Sequence, residues 1–242
     1  MATNQTASLH RVANPARPKK AYRGLAMEGF IARWYARNTR NRGDHKETAA
    51  LVAAQLAAGA SVLEVAPGPG FLAIELARLG DFRVVGLDIS HSFVEIARRN
   101  AKDAGVVVAF HQGNASSMPF EADSFDFIVC KAAFKNFSEP VEALNEMHRV
   151  LKPSGKALIV DLRPDAPSDA IRAEVKKMGL GWFNSLLTRF IFKHSLIKRA
   201  YSQEQFRQMA SQSDFKMCAV KEESLGLGVS FAKLPRTANE AT

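Results

Sequence analysis

Two spacings organise the apolar residues of this chain. Short, mainly apolar runs at 61–66, 83–87, 106–110, 125–131 and 156–161 have the length of strands, and their Val/Ile/Leu character is continuous rather than alternating with polar residues. Between them, apolar residues recur every three or four positions over 71–79, 92–104 and 140–151, which predicts amphipathic helices. Strands alternating with helices imply right-handed crossovers and a parallel sheet covered on both faces. Upstream, 25–37 mixes Phe30, Trp34 and Tyr35 with arginines and predicts a short helix. A second helix starts at Gly43 or Asp44 and runs through the alanine-rich stretch 48–58 to a stop at Gly59. After Asp161 the prolines Pro164 and Pro167 break the pattern. Helices are expected over 168–178 and 182–197, and Ser202-Gln-Glu-Gln205 has the capping-box spacing that opens a helix through Met209. Two last strands, 215–220 and 229–234, flank Leu225-Gly-Leu-Gly228 and predict an antiparallel hairpin at one sheet edge. The expected class is α/β, with seven strands, mostly parallel.

Composition narrows this picture. With 242 residues, 47% of them apolar, the chain can bury one α/β core, and no apolar stretch approaches the roughly 20 residues that a spanning helix needs. Residues 1–16 are polar and lack the apolar centre of a signal peptide, so a cytoplasmic location is expected. The two cysteines, Cys130 and Cys218, fall in strand-like runs and read as buried free thiols. The formal charge of +9 is unevenly placed, because residues 1–46 hold ten Lys or Arg against only Glu28 and Asp44. A basic arm is therefore attached to a nearly neutral domain. Such an arm suits nucleic acid, anionic lipid or an acidic substrate; the plainer reading is a solvated leader followed by a basic helix face. The expected organisation is a disordered leader at 1–20, a single domain at 21–235 with cap elements near 21–42 and 163–200, and a tail at 236–242.

The densest chemical signal is Glu64-Val-Ala-Pro-Gly-Pro-Gly70 followed by the helical pattern 71–79. Strand, glycine turn and helix together let a nucleotide-like ligand approach backbone amides at a helix N-terminus. Gly68-x-Gly70-x-x-Ala73 fits the looser dinucleotide fingerprint, and Asp88 ends the next strand about twenty residues on. An NAD-dependent oxidoreductase is one reading of this arrangement, and an adenosylmethionine enzyme is another. Glu64 separates them. A carboxylate inside an apolar strand is costly unless paired, and it would repel a pyrophosphate while welcoming a sulfonium and an α-ammonium group.

Together these motifs make the chain resemble the class I S-adenosylmethionine-dependent methyltransferases, most closely the small-molecule branch that includes the ubiquinone and menaquinone C-methyltransferases. The resemblance rests on Glu64–Gly70, on Leu87-Asp-Ile-Ser90, on Gly113-Asn-Ala115 with Met118-Pro-Phe120, on Phe125-Asp-Phe-Ile-Val129 and on Arg149-Val-Leu-Lys-Pro-Ser-Gly155. It implies a Rossmann-like sheet with a terminal antiparallel hairpin and a helical cap, with S-adenosyl-L-methionine as cofactor. By position, it implies Glu64 near the methionine amine, with Ala66, Gly68 and Gly70 lining the turn. Asp88 would hold the ribose hydroxyls, Ile89 would pack on adenine, Asn114 and Ala115 would contact the base, and Lys131 would lie beside the methionine moiety through its backbone. Two positions depart from the family pattern: Ala66 replaces a common glycine and Asn114 a common aspartate.

Methyl transfer from a sulfonium needs a general base only where the acceptor must lose a proton. The candidates are few. Tyr22 and Tyr35 precede the core in the segment that covers the cofactor in related enzymes, and His111 ends the third strand near the adenine loop. No metal-ligand pattern is visible. The fourth strand ends Cys130-Lys-Ala-Ala-Phe134, without the Asn/Asp-Pro-Pro-aromatic motif of nucleic-acid amine methyltransferases, so a small, apolar acceptor is expected and nucleic acid is not. Trp182, Phe183, Leu186, Phe190 and Ile191 beside Arg189, Lys193 and Lys198 outline an acceptor-side cap, or a face for peripheral membrane contact. Three rivals remain open: the NAD enzyme, an RNA-directed methyltransferase using the basic arm, and a non-catalytic adenosylmethionine-binding subunit.

Overall fold

The computed structural model describes residues 22–23, 26–40, 43–177 and 197–235. The leader 1–20, most of the helix expected over 182–197, and the tail 236–242 lie outside the described residues. Seven strands form one sheet in the order β3-β2-β1-β4-β5-β7-β6. These are β1 (Ser61–Val65), β2 (Arg83–Asp88), β3 (Ala109–Gln112), β4 (Phe125–Lys131), β5 (Leu151–Leu162), β6 (Ala219–Glu222) and β7 (Gly226–Ala232). The first five run parallel, and β7 is antiparallel to both of its neighbours. The strand order reverses between β1 and β4. Their carboxyl ends therefore diverge into a crevice, the usual ligand position in an open α/β sheet.

Both faces of the sheet are covered. The helices are α1 (Gly29–Thr39), α2 (Asp44–Ala53), α3 (Phe71–Leu79), α4 (His91–Asp103), α5 (Pro140–Val150), α6 (Ser168–Lys177), α7 (Ile197–Arg199) and α8 (Gln203–Gln212). Ala49 and Val52 of α2, Leu72 and Leu76 of α3, and Val94 and Ala97 of α4 pack on Val62, Val84, Phe127 and Val129. On the opposite face, Leu144 and Met147 of α5 and Phe206 and Met209 of α8 pack on Leu63, Val65, Ile128 and Ile159. Strand parity decides which polar groups look which way. Glu64 and Lys131 share the α2–α3 face with Val62 and Val129, whereas Asp161 shares the α5–α8 face with Ile159.

Several boundaries move from their expected places, each for a local reason. The third strand starts at Ala109 rather than 106. Gly105, at φ +67°, closes α4 in a Schellman arrangement in which Val106 N–H donates to Ala101 O and Gly105 N–H to Lys102 O, so 106–108 are spent returning to the sheet. The sixth strand starts at Ala219 rather than 215. Phe215 is buried against His148 and Phe231, and Lys216 takes φ +66°, which ends the extended run there. Cys218 therefore precedes β6 and is half-buried, while Cys130 is fully buried in β4. The seventh strand begins at Gly226, not 229. The glycine segment read as the hairpin turn is mostly strand, and a Cβ at Gly226 would meet Asp161 O at 2.5 Å, so β5 and β7 approach where only glycine fits. The second helix stops at Ala53, ahead of the expected 58, and the first spans Gly29–Thr39 rather than 25–37. The capping box at Ser202 and Gln205 forms as expected.

The turn after β1 is the most constrained backbone in the protein. Ala66, Gly68 and Gly70 take φ of 56°, 56° and 80°, all left-handed. At Gly70 a Cβ would stand 2.7 Å from Phe110 Cζ and 2.9 Å from Ala97 Cβ; at Gly68 nothing comes closer than Phe93 Cε2 at 3.9 Å. The two glycines should respond differently to alanine. Gly68→Ala is expected to cost about 1–2 kcal/mol of left-handed strain, and Gly70→Ala about 2–5 kcal/mol because overpacking adds to the same strain. Urea unfolding of both variants checks this, and equal losses would show that Phe110 and Ala97 make room.

Candidate active site at the carboxyl ends of the strands

Glu64 sits one residue from the carboxyl end of β1, in register between Gly86 of β2 and Val129 of β4. It is buried, and its Oε2 has no hydrogen-bond partner. Burial pushes its carboxyl up to about 8, against the pull of the Ala73 amide at the start of α3 and of the Lys131 ammonium. An unpartnered carboxyl beneath a turn is what an incoming cation would relieve.

Asp88, the last residue of β2, fastens the turn from the side. Its Oδ2 accepts from Gly68 N–H at 2.9 Å and its Oδ1 from Ser90 N–H at 2.8 Å. Burial pushes its carboxyl up to about 6, and these amides hold it down. Each oxygen keeps a lone pair for further donors. Beside it, Ile89 is 40% exposed, an apolar surface next to the crevice. Gly113 N–H donates to Asp88 O, which brings the following loop alongside. In that loop Asn114 makes an Asx turn, its Oδ1 accepting from Ser116 N–H at 3.0 Å, and Ala115 packs half-buried on the core. The amide NH2 of Asn114 is thus the part left to meet a base edge.

Lys131 does more than its expected backbone role. Its Nζ donates to Asp44 O at 2.6 Å and Thr48 Oγ1 at 3.0 Å and lies 3.1 Å from Asp44 Oδ2, so it ties the start of α2 to the end of β4. His45 in the same turn packs its ring on Phe71, the first residue of α3.

The described residues before α1 are tied to the segments that follow β4 and β2. Tyr22 makes an antiparallel bridge to Phe137, and Arg23 N–H donates to Asn136 O at 2.7 Å. Ser90 Oγ donates to Met27 O, Gly29 N–H donates to Ser92 Oγ, and Glu28 Oε2 accepts from Ser92 N–H. Burial pushes the Tyr22 hydroxyl up; Arg199 pulls it down, while Tyr35, Asp88 and Asp161 add to the rise. Tyr35 stands farther back on α1, edge-on to Phe93 at 5.7 Å. His111 is exposed on β3, edge-on to Phe120. Of the three candidate proton carriers, Tyr22 is the one bridged to the segment that follows β4, through Phe137.

Two features were invisible in the residue pattern. The first is a buried ion pair, Lys135 Nζ to Asp161 Oδ1 at 2.7 Å, both side chains nearly free of solvent. Lys135 also donates to Ala132 O, and its own amide donates to Asp161 Oδ2. Asp161 offered a faint signal, since it ends an apolar strand as Asp88 does; Lys135 offered none. The second is a clamp between distant arginines. Arg199 donates to Arg23 O and Asn136 Oδ1, and Arg23 donates to Tyr201 Oη and Ser138 O. It joins the N-terminal segment to α7 across the crevice rim. Among the described residues, no group of three or more His, Cys, Asp or Glu is placed to hold a metal ion.

Comparison with known proteins agrees with this geometry. Residues 63–159 match the family model described as Methyltransferase domain. A demethylmenaquinone methyltransferase of Chlorobaculum parvum is 34% identical over 152 residues, covering 61% of this chain and 59% of that protein. A ubiquinone/menaquinone biosynthesis C-methyltransferase of Blochmanniella pennsylvanica is 38% identical over 107 residues, 43% of this chain and 42% of that protein. The chain thus spans about half the length of the curated relatives it matches. A SAM-dependent methyltransferase from Aquifex aeolicus shares the fold, with a TM-score of 0.62, 18% identity, and coverage of 82% of this chain and 98% of that one. So does the [4+2]-cyclase SpnF, at a TM-score of 0.53 and 21% identity over 79% of this chain and 81% of that one. The fold alone therefore does not dictate the reaction.

The buried acids set two expectations. Glu64 has an ordinary carboxyl value of 4.5 and one of about 8 in the fold, so the native state holds its proton more tightly than the unfolded chain. Its contribution is fully present below about 4.5 and is lost as pH rises through about 8. Glu64→Gln should flatten the fall in ligand-free thermal midpoint between the ordinary value of 4.5 and about 8, and parallel curves for variant and parent over that range would refute the assignment. Asp161→Ala strands the Lys135 ammonium and should cost about 3–5 kcal/mol in urea unfolding; a loss below about 1 kcal/mol would mean the pair is solvated.

Proposed function

We propose, from the premise that residues 63–159 form a methyltransferase domain, that this protein is an S-adenosyl-L-methionine-dependent methyltransferase acting on a small apolar molecule of the quinone-precursor class. One observation carries the cofactor: the buried Glu64 carboxyl with its unpartnered Oε2, below a left-handed turn at the α3 N-terminus. When bound, the cofactor would supply an electrophilic methyl group on a sulfonium. Glu64 would meet its α-ammonium group and become ionised in doing so. Asp88 would accept from the ribose hydroxyls with the lone pairs that Gly68 and Ser90 leave free, Ile89 would cover one face of adenine, and Asn114 and Ala115 would border its edge. Gly68 and Gly70 keep the turn free of side chains so that the methionine half can lie against backbone.

The acceptor class rests on what the relatives are called and on the nature of the rim. Phe134, Phe137 and Phe206 form a buried aromatic cluster beneath the Tyr22 bridge, and its half-buried edge at Tyr201 is the aromatic surface an apolar ring would meet at the rim. Tyr22, whose hydroxyl burial keeps protonated, would orient an acceptor oxygen by donating a hydrogen bond. Alignment and exclusion of water would supply much of the rate. A pyrophosphate cofactor is disfavoured because it brings no cation to the buried, unpartnered Glu64 carboxyl beneath the turn.

Calorimetry with S-adenosylhomocysteine and with NAD tests the reading. Homocysteine-adduct binding is expected to release a proton near neutral pH, because Glu64 must ionise, and the apparent enthalpy should then vary with the buffer's own ionisation enthalpy. Asp88→Ala should weaken that binding by about 1–3 kcal/mol. Binding of NAD alone would sink the proposal. Methyl transfer from labelled cofactor to a short-chain demethylnaphthoquinol is the corresponding turnover assay, and turnover on RNA but not on the quinol would reassign the acceptor.

A further inference from the structure

Helix α1 presents an unusual outward face. Its buried side is small and apolar: Ala32 and Ala36 pack on Phe93 and Ile96 of α4, with Met27 and Tyr35 at the margin. On the helical wheel the opposite side carries Phe30, Trp34, Arg33 and Arg37, with Phe30 and Trp34 four residues apart and the two arginines likewise. Phe30 is 73% exposed and Trp34 54%. Large aromatics in solvent on one short helix call for an explanation in a way that single surface apolar residues do not. Charge points to the kind of partner. No acidic residue occurs within α1, and Arg40 follows it directly. A shallow cavity of about 260 Å³ beside the helix is lined by Arg33, Arg37 and Arg99, with Asp103 as its one carboxylate. The nearby acids are engaged elsewhere: Glu28 accepts from Ser92 N–H, and Glu95 pairs with Arg98.

We propose that this face of α1 docks on an anionic lipid bilayer, with Phe30 and Trp34 entering the headgroup layer and Arg33, Arg37, Arg40 and Arg99 meeting lipid phosphates. Aromatic side chains prefer the boundary between water and hydrocarbon, and arginines beside them add attraction to anionic headgroups. The helix is anchored for this purpose. It is fixed to α4 through Phe93 and Ile96, and the segment entering it is tied to Ser90 and Ser92, immediately after the acid that ends β2. Docking there would hold the crevice rim at the membrane, where an apolar acceptor concentrates. The inference stands on α1 itself and does not require the acceptor proposed above. The aromatic and basic stretch expected at 182–197 lies outside the described residues and takes no part in it.

The test is vesicle flotation of the full-length protein, with phosphatidylcholine alone and with phosphatidylcholine containing phosphatidylglycerol. Binding is expected only to the anionic vesicles and should weaken with salt. Arg33→Gln with Arg37→Gln should reduce the partition coefficient about fivefold per arginine, and Phe30→Ala with Trp34→Ala should abolish the binding that survives high salt. Thermal midpoint and affinity for S-adenosylhomocysteine should stay at parent values in both pairs, because the four side chains project from the core and from the crevice. Equal binding to neutral vesicles, no binding to either, or unchanged binding in both pairs would overturn the proposal. Retention of single-stranded RNA through the same residues, without vesicle binding, would overturn it in favour of nucleic acid.

Discussion

The backbone between Val65 and Phe71 must turn through three left-handed residues to pass from a buried strand into a helix, and the geometry of the site depends on that passage. Ala66, Gly68 and Gly70 occupy a region that costs an L-residue about 1–2 kcal/mol. Asp88 holds the turn by taking Gly68 N–H, and Leu87 O takes Ala66 N–H at 2.8 Å. The same two hydrogen bonds lock the carboxyl ends of β1 and β2 together. The left-handed turn and the acid beside it therefore form one unit, in which the group proposed to receive a ribose also maintains the loop.

Two buried acids with raised proton affinity face this turn from different directions, and their environments differ. Asp88 accepts two backbone amides and is pushed only to about 6; Glu64 has little to satisfy it and reaches about 8. Near neutral pH the first is mostly charged and ready to accept hydroxyl donors, and the second is mostly neutral until a cation arrives. That division suits a ligand with sugar hydroxyls at one end and an ammonium group at the other. A third acid, Asp161, pairs with Lys135 on the opposite face of the sheet and accepts the Lys135 amide, which braces the turn Phe134–Asn136 under the crevice rim.

The rim is assembled from parts far apart in the chain. Arg23 and Arg199 are 176 residues apart yet share Asn136 as a partner, one through its backbone oxygen and the other through its side chain. Tyr22 reaches its position because this clamp and the bridge to Phe137 hold the incoming strand over the ends of β4 and β5. Together with α1 on α4, these contacts make the N-terminal segment a fixed wall of the crevice.

The alternation of apolar runs, the glycine turn, the acid that ends the next strand and the capping box at Ser202 are each written in neighbouring residues, so the amino-acid order alone determined the α/β class, the strand sequence and the motif of strand, glycine turn and helix. Boundaries were less legible where a helix cap or a buried ring intervened: Gly105 delayed β3, and Phe215 left the strand pattern because its ring was wanted in the core. Strand parity and the 26-residue separation between Lys135 and Asp161, or the 87-residue separation between Asp44 and Lys131, carry no periodic signature. Only the tertiary structure could pair them, because a charge is admitted to the interior when its counter-charge arrives from another element, and which element arrives is decided by the order of strands in the sheet rather than by the neighbours along the chain.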